Sequence, residues 1–338
     1  MGLRCHAAGG DRPGKAGVLH HACAGDDADH RSAEHQTRRA VVRDRIDRIE
    51  DLIHQEVGRG VTGLFAAAKG GLWSAVSALT AKPPRHVGIL TGFFVPKGDP
   101  PAAETDGPAG AALLALALSG IGAQCRLLTD ESCRSACAAA LAGGGVTGVS
   151  IDAIPPSTSL EPVIAAWRAL GIDWIISIER CGLSGDGRPR NMRGEDTGAH
   201  TAPLDHVFTA GPWRTIAIGD GGNEVGMGAL PSELIAREVP FGATIGCVTP
   251  ADHLIVAGVS HWGAYGLIAG LAVANAAWRE ALLGCLDPAL ERRILKTLVE
   301  RGPAVDGVTL GRTLTIDGLD LDTHRVMLEQ VRTIARRE

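Results

Sequence analysis

Four loops in this chain carry residues able to do chemistry, and each of them follows or adjoins a short apolar run. The densest is Gly219-Asp220-Gly221-Gly222-Asn223-Glu224-Val225-Gly226-Met227-Gly228, entered directly from the apolar residues ending at Ile218. Five glycines in ten residues let backbone pass close to a ligand, while Asp220, Asn223 and Glu224 supply oxygen groups at short spacing. A plain turn needs one or two glycines without three polar groups among them. The run misses the GxGxxG spacing of a dinucleotide site, and its acids would repel phosphate. Such oxygen donors suit a hard ion, Mg²⁺ or Mn²⁺, although nothing in the spacing requires one.

The second loop runs from Thr91-Gly92-Phe93 to Glu104-Thr105-Asp106-Gly107-Pro108. Pro108 fits the first turn of a helix that Asp106 could cap. A cap leaves Glu104 and the glycines at 92, 107 and 110 unexplained, and the free N–H groups of a helix start attract carboxylates. The third loop is Glu179-Arg180, followed by Asn191-Met192-Arg193-Gly194-Glu195-Asp196. Glu179 could pair internally with Arg180 or Arg193; equally, an arginine fork there could grip a substrate carboxylate. In the fourth, Gly258-Val259-Ser260-His261-Trp262-Gly263, Ser260 reads as an N-cap and His261 as a first-turn or structural ring.

The segments between these loops alternate in period. Strands are expected at 86–91, 124–129, 146–151, 173–178, 214–218, 244–248 and 253–257. Helices fit 41–55, 62–78, 108–120, 131–142, 160–170, 230–237, 262–283, 288–301 and 320–336, with a small hairpin spanning 307–316. This rhythm predicts an α/β protein with a mostly parallel, doubly wound (Rossmann-like) sheet and helices on both faces. In such sheets ligands bind beyond the carboxyl ends of the strands, where all four loops fall. Residues 41–338 are expected to form one α/β catalytic domain with N-terminal and C-terminal helices. Residues 1–40 hold five of the twelve histidines and little apolar periodicity, and read as a disordered extension.

Composition narrows the function classes. A formal charge of −5 without a basic stripe argues against nucleic acid. No run of eighteen apolar residues argues for a membrane span, and the first residues lack the pattern of a signal peptide. Eight scattered cysteines without a CxxC pair read as buried thiols of a reducing compartment, so the expected location is cytoplasmic. A homo-oligomer is compatible with all of this.

Taken in order, Thr91-Gly92-Phe93, Glu104-Thr-Asp-Gly-Pro108, Glu179-Arg180, Asn191-Met-x-Gly194, Gly219-Asp-Gly-Gly-Asn-Glu-x-Gly-Met-Gly228 and Ser260-x-Trp-Gly263 resemble the D-glutamate cyclase family. The likeness covers roughly residues 41–285, with His261 standing where the family pattern has Asn. It implies a small amino-acid substrate and a lyase that converts D-glutamate to 5-oxo-D-proline with loss of water. On that expectation Glu104 and Asp106 receive the ammonium group, and Asp220 or Glu224 serves as acid and base. Arg180 or Arg193 anchors the α-carboxylate, and the N–H groups of Gly221 and Gly222 cradle the oxyanion. Thr91, Gly92, Asn191, Asn223 and His261 line the substrate. Two other readings compete: a metal-assisted lyase or hydrolase acting on another small carboxylate, and a non-catalytic binder of a small anion.

Overall fold

A computed structural model describes residues 26–337. Its centre is a six-stranded sheet built from β1 (His86–Gly92), β4 (Gln124–Asp130), β5 (Ser150–Ile154), β6 (Trp174–Arg180), β7 (Arg214–Gly219) and β8 (His253–Val256). The remaining strands form two-residue hairpin arms: β2 (Phe94–Val95) with β3 (Ala102–Ala103), and β9 (Thr315–Ile316) with β10 (Leu319–Asp320). All five pairings of the large sheet are parallel, in the order β5-β4-β1-β6-β7-β8.

Period-two alternation divides the strand side chains between two buried layers. Ile89, Leu127, Ile176, Ile216 and Ile255 feed one layer, while Leu90, Leu128, Ile175, Ala217 and Val256 feed the other. The first is covered by α1 (Asp26–Ile53), α3 (Gly71–Ala81), α4 (Asp106–Gly120), α5 (Arg134–Gly144), α10 (Ser260–Ala274), α11 (Arg279–Cys285), α12 (Pro288–Arg301) and α13 (Leu321–Arg336). The second is covered by α2 (Thr62–Ala68), α6 (Glu161–Ala169), α7 (Asp205–Ala210), α8 (Ser232–Glu238) and α9 (Gly242–Ile245). With few aromatics available, small residues let these layers close. A Cβ on Gly88 would lie 2.1 Å from the Trp167 ring, so that position has no side chain. The doubly wound expectation therefore holds.

Several expected elements differ. The apolar run 244–248 is not a strand: its first residues close the short helix α9, because Gly242 lets that turn sit against the Ile235 carbonyl. The third strand starts at Ser150 rather than 146, since Gly145 and Gly148 both take positive φ and form the turn before it. The expected long helix 262–283 divides after Ala274, and the second helix divides at Lys69-Gly70, where Gly70 has φ of 90°. Residues 26–40, expected to lack structure, are helical, and residues 1–25 of that expected extension lie outside the described residues. The six described cysteines are all free and buried. Among the described residues no helix is long and apolar enough to cross a membrane.

Candidate active site

Strands β1 and β6 lie side by side, yet the chain leaves them in opposite directions, through β4 and β5 on one side and β7 and β8 on the other. A crevice opens where such connections part. At its base the β1–β6 register slips between Leu90 and Gly92, and Glu179 has a left-handed φ of 42°. A non-glycine residue held there is strained and must be fixed by its surroundings. The twist turns Glu179 into the crevice and sends Arg180 the other way. Oε2 of Glu179 accepts the Ser260 hydroxyl at 2.7 Å. The guanidinium of Arg180 is fully buried in an ion pair with Asp130 and also donates to the carbonyls of Gly92 and Ala202.

Four more acids gather around Glu179. Glu104 and Asp106 arrive on the start of α4, which approaches closely because Gly107 lacks a side chain; a Cβ there would meet Thr91 Oγ1 at 2.5 Å and the Glu179 carbonyl at 3.0 Å. Asp106 does not cap the helix: both carboxylate oxygens are buried without a hydrogen-bond partner. Asp220 follows β7, and its Oδ2 accepts the first N–H of α10, from Ser260, at 2.8 Å. Glu224 is wrapped by its own loop, with Oε1 accepting from the N–H of Gly221 at 2.6 Å and Oε2 from Gly222 at 2.8 Å.

Two further residues come from distant parts of the chain. Asp317 sits in the β9–β10 turn, where it and Gly318 both take positive φ (54° and 74°), the geometry that Asp-Gly favours. Asp306 holds that turn by accepting from Gly318 N at 2.8 Å. Arg59 reaches in from the loop between α1 and α2, and its guanidinium bridges Asp220 and Asp317. Carboxylate oxygens of Asp106, Asp220 and Asp317 lie within 4.8 Å of one another, as do those of Glu179, Asp220 and Glu224.

Burial sets the electrostatics of this cluster. It pushes Glu104 and Asp106 well above the ordinary carboxylate range, and nearby Asp317 adds to both shifts. Burial does the same to Glu179, reinforced by Asp220 and Glu224. It raises Asp220 and Asp317 to about 7, although Arg59 pulls each of them down. Desolvation alone would lower Arg59, but Asp220 and Asp317 outweigh it and hold the guanidinium charged. The result is a cluster of buried acids raised above the ordinary carboxylate range, with Asp220 and Asp317 brought close to neutrality.

Above the acids lies a pocket of about 320 Å³. Glu104, Glu179, Glu224, Asp317 and Arg59 reach it from below, while Phe93, Phe94, Met192 and Val308 give apolar walls. Arg193 stands exposed on its lining, next to Lys97, which pairs with Glu195. Asn191 lines the pocket and braces this rim, its side-chain oxygen accepting from the N–H groups of Arg193 and Glu195 at 3.0 Å each. Asn223 also reaches the pocket and donates to the Arg190 carbonyl at 2.8 Å.

Several expected roles change with this geometry. Arg180 does not reach the pocket, whereas Arg193 and Arg59 both line it. Gly221 and Gly222 spend their N–H groups on Glu224, not on an oxyanion. His261 is fully buried, its Nε2 3.3 Å from Glu291 and its ring edge-on to Tyr265, and it lies off the pocket lining. Thr91 and Gly92 support the site from beneath: Thr91 Oγ1 is buried without a partner, and the Gly92 carbonyl binds Arg180. Ser260 is the first helical residue rather than a cap, and its hydroxyl serves Glu179. Asp317 and Arg59 were missed. The Asp317-Gly318 dipeptide was a visible turn signal, whereas nothing local marks Arg59.

The family model described as D-glutamate cyclase-like, C-terminal, matches residues 49–332. The chain belongs to that family. A relative, the human protein named D-glutamate cyclase, mitochondrial, is 28% identical over 324 residues, covering 85% of this chain and 51% of the relative. This D-glutamate cyclase-like chain thus spans about half the length of the human protein. The match includes Arg59 and Asp317 as well as the strand-end acids, so the whole crevice lies within the family's span.

Proposed function

We propose that this enzyme closes D-glutamate, or a close analogue, into the five-membered lactam 5-oxo-D-proline. The observation that carries the reading is the pocket's lining: several buried acids with Arg59 among them at its base, and Arg193 on its rim. A small amino dicarboxylate entering with its ammonium group downward meets Glu104 and Asp317 and leaves its α-carboxylate near Arg193. Holding the chain bent brings the amine to the γ-carboxyl carbon, and such proximity contributes on the order of 7 kcal/mol or more to related intramolecular reactions. The C–N bond then forms, a γ C–O bond breaks and water leaves. Two ammonium protons end on the departing oxygen, so the acids act as a shuttle with no net uptake. Glu179 is best suited to hand over the proton. Burial raises its pKa well above the ordinary carboxylate value, which favours the protonated form, and Ser260 fixes its orientation.

The test is incubation of the purified protein with D-glutamate and, separately, L-glutamate, with 5-oxoproline followed by chiral mass spectrometry. Product from the D enantiomer is expected; silence with both would overturn the reading. The two acid trios also favour metal-assisted chemistry on another small carboxylate, which a substrate screen with and without chelator would reveal. The acid base of the pocket works against a binder of free anions.

A further inference from the structure

One feature of the acid cluster is not used by a proton shuttle. Asp106 is buried with neither carboxylate oxygen hydrogen-bonded, and Asp317 leaves Oδ2 unpartnered as well. A buried carboxylate without partners is costly to maintain. Asp106 has an obvious alternative, the N–H groups at the start of its own helix, and does not take it. Instead one of its oxygens lies within 4.8 Å of oxygens of Asp220 and Asp317. Arg59 offsets one of the three charges in this trio, leaving two in excess when all are ionised.

The geometry points to a binding site for one divalent cation, Mg²⁺ or Mn²⁺, ligated by Asp106, Asp220 and Asp317, with the Arg59 guanidinium as its competitor. Oxygen-only donors select hard ions, and no histidine or cysteine belongs to the trio. Arg59 is carried between Gly58 and Gly60, both at positive φ, and already engages Asp220 and Asp317. It holds two of the three ligands together, and the ion would share or replace its bonds. The ion's use rests on the lactam reading: a γ-carboxylate is a poor electrophile as an anion, and a cation beside it would polarise its carbon toward the amine. Binding itself does not depend on that reading.

The full chain, stripped with EDTA and desalted, is titrated with MnCl₂ while the signal of free Mn²⁺ is followed by electron paramagnetic resonance. One ion per chain is expected, with protons released on binding because the ligands must ionise. Asp106→Asn should weaken Mn²⁺ binding at least tenfold and abolish the rise in Tm that Mn²⁺ gives the parent protein. Circular dichroism checks that the variant is folded. Asp317→Asn should behave in the same way, and Arg59→Gln should bind Mn²⁺ more tightly. No binding by the parent, or parent-like affinity in both aspartate variants, would overturn the site. One bound ion lost in both variants supports it even when neither glutamate enantiomer reacts, a result that would sink the lactam reading alone.

Discussion

The Ser260 hydroxyl donates to Glu179 Oε2 at 2.7 Å, joining the first turn of α10 to the end of β6 across the crevice. The strained residue that carries the acid is therefore steered by a neighbour two strands later in the chain. Ser260→Ala removes that bond and leaves the fold in place. A lost hydrogen bond of about 1–1.5 kcal/mol predicts roughly a tenfold fall in kcat with little change in KM. Steady-state kinetics on D-glutamate check this, and an unchanged kcat would show that Ser260 does not position the acid.

Arg180 and Asp130 form a buried pair, and removing one partner strands the other. Arg180→Met is expected to lose about 3–5 kcal/mol of stability in urea unfolding. A variant that unfolds like the parent but shows a raised KM would restore Arg180 to the substrate.

Gly307 lies against Glu104: a Cβ there would stand 1.8 Å from Glu104 Oε1. Gly307→Ala must displace that carboxylate from the pocket. A fall in kcat/KM of about tenfold or more is expected, since one misplaced group commonly costs that much or more. Stability should change little, because the displaced group is the end of a flexible side chain. Parent-like turnover would show that Glu104 is not needed where it stands.

His324 makes stability depend on pH. It is buried, accepts the Trp262 indole N–H at Nδ1 (2.9 Å), and sits 3.2 Å from the Ile316 carbonyl through Nε2, an arrangement for a neutral ring. Burial lowers its pKa to about 4, and burial likewise lowers His54 to about 4. In both cases the unfolded chain takes up its proton first. Their contribution is complete above the ordinary histidine value and is lost as pH falls from about 6.5 to about 4. For His324 alone this amounts to about 3 kcal/mol. Asp220 and Asp317, raised to about 7, act in the opposite sense over this range, so the parent and His324→Gln are compared: in urea melts the parent should lose stability relative to the variant as pH falls from about 6.5 to about 4.

The sheet was legible because most of its strands are short apolar runs ended by glycine or an acid, from Leu90-Thr91-Gly92 to Ile218-Gly219-Asp220. The strand-end acids could be found for the same reason. Which way a side chain faces at such an end could not be read: Glu179 and Arg180 are adjacent, and only the backbone twist at φ 42° separates their roles. The use of Gly221 and Gly222 was hidden too, since a glycine-rich loop can fold around a ligand or around its own Glu224. Arg59 and Asp317 are placed by tertiary packing, from opposite ends of the domain.

The β9–β10 turn lies beyond every strand of the large sheet, and yet it supplies Asp317. During synthesis all six sheet strands would leave the ribosome before the pocket's last wall exists. A chain cut ahead of residue 315 would thus keep every strand of the large sheet and lose both Asp317 and the second anchor of Arg59.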